Sequence, residues 1–279
     1  MSQTTYTRVA LVTGGAQGIG RAIALRLAAD GLDVAVNDVE RQSDNIAKVV
    51  IEIRALGRQA IAVPADVTSE EAVERMVAET VQQLGRLDVM VANAGVAHGG
   101  VGPADTPIVE MSLKNWQNLT AVNVEGVMLC YKHAARQMIR QGQGGQIIGA
   151  SSICGKKGVK NLSAYCSSKF AVRALTQCAA AELAEHNITV NAYAPGVIDT
   201  PMTNLENVGG VEKLKITLGL PGARTGYPDD IAQFVSYAAS PQSHFMTGAL
   251  CLPSLLFDPQ AKRQRSGQSV ILDGGKLFD

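Results

Sequence analysis

The stretch Val9-Ala10-Leu11-Val12-Thr13-Gly14-Gly15-Ala16-Gln17-Gly18-Ile19-Gly20 joins a β-branched apolar run to a helical repeat through a cluster of glycines. VALVTG at 9–14 reads as a buried strand, and apolar residues at Ile19, Ile23 and Leu27 follow at helical spacing until Asp30-Gly31, a usual helix-end signal. Glycines between a strand and a helix let the chain turn sharply. They also open the first helical turn to an anion, which the positive end of the helix dipole favours. A plain tight turn would use the same residues, so the next strand matters. VAVND at 34–38 ends in Asp38, eighteen residues beyond Gly20, where a carboxylate can accept hydrogen bonds from ribose hydroxyls and repel a 2′-phosphate. Gln17 is neutral, which favours NAD; Arg41, three residues past Asp38, keeps NADP open.

Working outward, the same strand-then-helix unit recurs. AIAVPAD at 60–66, LDVMVANAG at 87–95, GQIIGASS at 145–152 and TVNAYAPG at 189–196 are near-continuous apolar runs separated by helical stretches. Such strands belong in a parallel sheet covered on both faces. Thr68-Ser69-Glu70-Glu71 has a capping-box pattern for the helix that ends near Gly85. With no internal repeat and no Ser/Pro linker, residues 1–279 read as one α/β domain, a Rossmann-type doubly wound parallel sheet.

The 279 residues are 46% hydrophobic and 18% charged, with 25 basic and 25 acidic side chains, so a sizeable core is expected and no electrostatic footprint for nucleic acid or an anionic membrane. The N-terminal MSQTTYTRVALVTGG lacks the layout of a signal peptide, and no apolar run approaches membrane-spanning length. A soluble, cytoplasmic protein is expected. Cys130, Cys154, Cys166, Cys178 and Cys251 lie singly at irregular distances, which suits reduced thiols and no metal site.

Ala164-Tyr165-Cys166-Ser167-Ser168-Lys169 sets a phenol and an ammonium four residues apart, on one face if helical. Together with Asn93-Ala94-Gly95 and the spacing Thr13-Gly14-x-x-x-Gly18-x-Gly20, which departs from G-x-G-x-x-G, this resembles the short-chain dehydrogenase/reductase family. The match runs from about residue 8 to 248 and again from about 268. The run from Tyr165 to Met202 is most similar to diacetyl (acetoin) reductases and butanediol dehydrogenases within that family. Related helices occur in 3-oxoacyl-thioester, sugar or polyol, and secondary-metabolite ketoreductases.

The resemblance implies an NAD(P)-dependent alcohol dehydrogenase or ketoreductase acting on a small carbonyl or alcohol, with Asn123, Ser152, Tyr165 and Lys169 as its catalytic set. Ser152 would hold the substrate oxygen against Tyr165, the acid and base. Lys169 would lower the phenol's pKa and bind the nicotinamide ribose, and Asn123 would hold a water for proton exchange. Cofactor contacts are implied for Gly14, Gln17, Gly18, Ile19, Gly20, Asp38, Asp66, Val67, Asn93, Ala94, Gly95, Tyr165, Lys169, Pro195, Gly196, Ile198 and Thr200. A homotetramer is implied, with a dimer next, and a non-catalytic NAD-binding protein is the less favoured class.

Two departures stand out. Gly149 takes a place where the family commonly has Asn, which should alter local packing and leave the chemistry intact. Residues 249–267 separate Thr247-Gly248 from Gln268–Gly275, which the family joins directly into a strand. With Pro253, Pro259 and a basic run at 262–265, this insert reads as an irregular excursion, either a lineage-specific loop or a retained intron. A lid is expected at about 201–226.

Overall fold

Every residue of Val9–Val12 (β1), Asp33–Val36 (β2) and Val89–Ala92 (β4) is buried, as unbroken β-branched runs require of strands covered on both faces. The computed structural model describes residues 6–99, 106–204 and 209–251. In its first half, α1 (Gly18–Ala29) follows β1, α2 (Ser43–Ala55) follows β2, and β3 (Ala60–Ala62) leads to α3 (Glu70–Leu84). After β4 come α4 (Leu113–Thr120), α5 (Gly126–Gln141), β5 (Gly145–Ala150), α6 (Ser163–Leu183) and β6 (Ile188–Tyr193). The described residues end with α7 (Gly210–Thr217), α8 (Pro228–Ala239) and β7 (Leu250–Cys251). The strands form one seven-stranded sheet in the order β3-β2-β1-β4-β5-β6-β7, each pair parallel.

Two apolar layers sandwich that sheet. Ile23, Leu27, Ile46, Ile53, Ile231 and Val235 from α1, α2 and α8 fill one side. Val73, Met76, Leu129, Met138, Val172 and Ala180 from α3, α5 and α6 fill the other. The strand order reverses between β1 and β4, which opens a crevice at the carboxyl ends of the strands. The observed strands are shorter than their apolar runs for the same reason. Thr13-Gly14, Asn37-Asp38, Asn93–Gly95 and Ser151-Ser152 leave the ladder at that end and become the crevice walls. At α3, the hydroxyl of Ser69 accepts from Ala72 N at 3.2 Å, a one-sided cap in place of the expected box, and Gly85 ends the helix at φ 89°. No described helix is long and apolar enough to cross a membrane.

The C-terminal insert begins differently from its expectation. Leu250 and Cys251 pair with Ala192 and Tyr193, so the start of the insert, expected as an irregular excursion, forms a strand beside β6. They are the first apolar residues after the turn at Gly248, whose φ is 72°, and they are buried beside β6. Residues 252–279, including the rest of the insert and Gln268–Gly275, lie outside the described residues.

Candidate active site

The glycine turn is held by a side-chain network across the sheet. Gly14 and Gly18 have φ 62° and 54°, and a Cβ on Gly20 would meet Gly14 O at 2.1 Å, so the start of α1 packs directly on the turn. Asn93 Nδ2 donates to Thr13 O at 2.8 Å and Gly14 O at 3.2 Å, while Thr13 Oγ1 accepts from Asn93 N and Ala94 N at 3.0 Å. Tyr193 Oη donates to Asn93 Oδ1 at 2.7 Å. Tyr193 was not legible as a site residue, because a core tyrosine in a strand carries no local signal.

The arrangement fits a dinucleotide. No side chain caps the first turn of α1, which leaves its N-terminal amides to an anion. Asp38 Oδ1 accepts from Val39 N at 2.9 Å and Oδ2 from Ala16 N at 3.3 Å, so its carboxylate sits against the turn. Across the crevice, a Cβ on Gly18 would stand 3.7 Å from Thr200 and Pro201 atoms, which brings the segment after Pro195-Gly196 over the turn. Ile198 and Thr200 are buried there. Asp66 Oδ1 accepts from Thr68 N at 2.9 Å and Oγ1 at 2.8 Å, and Val67 packs where a Cβ on Gly126 would lie, 2.8 Å from Val67 Cγ2.

The catalytic candidates meet at the end of β5 and the start of α6. Ser152 Oγ accepts from Cys154 N at 3.1 Å, beside the Tyr165 phenol, whose ionisation burial opposes and Ser152 favours. Burial outweighs this and, with Cys154 nearby, holds the phenol above its ordinary range. Lys169 is buried, with Nζ 5.5 Å from the Tyr165 ring centroid and donating to Ala150 O at 2.9 Å; burial pushes its pKa down to about 8. The hydroxyl of the neighbouring Ser151 donates to Lys169 O at 2.9 Å.

Asn123 lies on a π-helical turn, Ala121–Glu125, between α4 and α5. Its Oδ1 accepts from Val96 N at 2.8 Å, and Nδ2 donates to Val96 O at 2.9 Å and Ser168 Oγ at 3.2 Å. The side chain therefore clasps the loop after β4 to α6. Both amide hydrogens are used, so holding a water would fall to its oxygen atoms. A Cβ on Gly95 would lie 3.2 Å from Asn123 Oδ1 and 3.5 Å from Lys169 Nζ, which places the Asn-Ala-Gly segment, Asn123 and Lys169 together.

The model of the short chain dehydrogenase family matches residues 8–208. A short-chain dehydrogenase/reductase of Hericium erinaceus, eriH, is 45% identical over 273 residues, covering 96% of this chain and 97% of the relative. The L-2,3-butanediol dehydrogenase of Corynebacterium glutamicum is 40% identical over 286 residues, covering 98% of this chain and 100% of the relative. Among solved structures, the acetoin dehydrogenase YohF of Salmonella typhimurium superposes with a TM-score of 0.76 at 31% identity, covering 91% of this chain and 98% of that one.

Proposed function

The chain belongs to the short chain dehydrogenase family of oxidoreductases, and on that premise we propose that it interconverts a small ketone or diketone, of the acetoin and diacetyl kind, and its secondary alcohol with NAD(H). The observation that carries this reading is the Lys169 ammonium 5.5 Å from the Tyr165 ring centroid, on the helix that follows Ser152, in a fold whose glycine turn faces Asp38. The names of the butanediol and acetoin relatives support the substrate class. Gly14, Gln17–Gly20, Asp38, Asp66-Val67, Asn93–Gly95, Pro195-Gly196, Ile198 and Thr200 would hold the nucleotide, which supplies or accepts hydride when bound. Ser152 would hydrogen-bond the substrate oxygen and hold it at Tyr165. Tyr165, kept protonated by burial, would give its proton to that oxygen as negative charge develops there, and would take it back in alcohol oxidation. Lys169 would steady the phenolate so formed and hand on a proton with Asn123. The same reading has the protein cytoplasmic and homotetrameric, with Met128 and Ile139 on α5 and Phe170 on α6 among the exposed apolar side chains that assembly would cover.

A panel of diacetyl, acetoin, a ketose and an acetoacetyl thioester tests the reading by NADH oxidation. Turnover of diacetyl or acetoin above the others is expected; NADH binding with no turnover of any of them would leave a binding protein. NADH should exceed NADPH in kcat/KM by about two orders of magnitude, because a 2′-phosphate would face the Asp38 carboxylate. Asp38→Ala should narrow that ratio, and equal use of both cofactors by the unmodified protein would remove the argument.

The pH response follows from the two buried groups. Lys169 is charged below about 8 and neutral above it, and Tyr165 stays protonated through neutrality. Ketone reduction should therefore be steady near neutral pH and fall as pH rises through about 8, and alcohol oxidation should lose the support of the Lys169 charge for the phenolate over the same range. Initial rates in both directions across the neutral and alkaline range check this. A reduction rate that climbs through about 8 would contradict it.

A further inference from the structure

Beyond the end of β6, the segment at Ile198 and the residue Gly226 are pinned together by an isolated parallel bridge. Gly226 N donates to Val197 O and Asp199 N to Gly226 O, each at 2.9 Å, and a Cβ on Gly226 would lie 2.5 Å from Ile198 Cδ1. Between these two points lies α7, whose apolar residues join a cluster with Tyr165. Val211, Leu214 and Leu218 recur at spacings of three and four, so they share one face. That face packs in one apolar cluster with Ile153, Leu162 and Tyr165. Polar contacts of the lid stand elsewhere. Lys157 Nζ donates to Leu218 O at 3.3 Å, Lys215 Nζ pairs with Glu212 Oε1 at 2.8 Å, and Ile216 on another face is exposed.

A substrate at the Tyr165 phenol would lie against this cluster, beside the leucines of α7 and beside Ile153 and Leu162. Parting the two surfaces exposes apolar area to water, and only an apolar body in the gap restores the burial. A polyhydroxylated chain would set hydroxyls against leucine methyls without hydrogen-bond partners. We infer that α7 makes this site select ketones by the apolar surface flanking the carbonyl, so that alkyl-extended diketones and alicyclic ketones are better substrates than diacetyl, and ketoses are the poorest. The inference rests on the ketone–alcohol reading above.

The test is a homologous series, 2,3-butanedione to 2,3-heptanedione, with an alicyclic ketone and an open-chain ketose, reduced by NADH. kcat/KM should rise about fourfold per added methylene until the space is filled, and the ketose should fall at least about 100-fold below butanedione. Leu214→Asn should flatten the rise, while Ile216→Ala on the exposed face should leave the series unchanged; NADH fluorescence titration shows that each variant is folded. The series on the unmodified protein stands by itself if Leu214→Asn does not fold. A flat or falling series, a ketose that matches the diketones, or a folded Leu214→Asn protein with the full rise would overturn the inference and leave the ketone–alcohol reading intact. No turnover of any ketone by a protein that binds NADH would overturn both.

Discussion

Tyr165→Phe should lower kcat for ketone reduction by about a thousandfold while NADH affinity stays within about twofold. The substitution removes one oxygen atom and keeps the ring. The ring packs against the apolar cluster that includes Leu214 and Leu218. Packing should survive, and the only loss is the proton that the substrate oxygen needs as hydride arrives. Lys169→Ala should be worse in a different way. Its ammonium bonds Ala150 O at the end of β5 and stands near Gly95, so removal should weaken NADH binding as well as turnover. Steady-state kinetics paired with NADH fluorescence titration separates the two patterns. A Tyr165→Phe protein with near-normal kcat would end the proposed role of the phenol.

The second large effect concerns stability. Gly149→Ala should destabilise the protein by about 2–3 kcal/mol, because the new Cβ would stand 2.1 Å from Tyr131 Oη, with Val172 Cγ1 at 3.3 Å behind it. Tyr131 is buried and cannot swing aside, and its hydroxyl is held by Thr176 Oγ1 at 2.9 Å. Tyr131→Phe alone should cost about 1 kcal/mol, the net value of the lost hydrogen bond, since Thr176 keeps its bond to Val172 O. In the double variant the oxygen that would collide is gone. The combined loss should be clearly smaller than the sum of the two. Thermal unfolding of the four proteins measures this, at about 2–4 °C of Tm per kcal/mol for a chain of this size. Additive losses would show that Tyr131 does not set the size of residue 149. NADH turnover of the folded variants should be unchanged, since neither residue belongs to the catalytic set.

Much of this site was open to reading along the chain because its chemistry is local. A strand, a glycine turn and a helix are contiguous from Val9 to Ala29, and the conformations they need follow from residues a few places apart. Tyr165 and Lys169 share α6, so four residues of spacing were enough to put phenol and ammonium on one side. The alternation of apolar runs with helices likewise implied a parallel sheet with both faces covered. What the chain could not announce were contacts between distant segments. Tyr193 reaches Asn93 across 100 positions to brace the glycine turn, and Asn123 meets Ser168 across 45. Gly149 looked like a plain departure until α5 was seen to place a phenol in the space that a side chain would need. The edge strand was decided the same way. Ala249–Cys251 opens an insert that local pattern reads as irregular. The structure pairs it with β6, because a strand's place depends on the partner it finds and on what the neighbouring helices bury, and neither is a property of the segment alone.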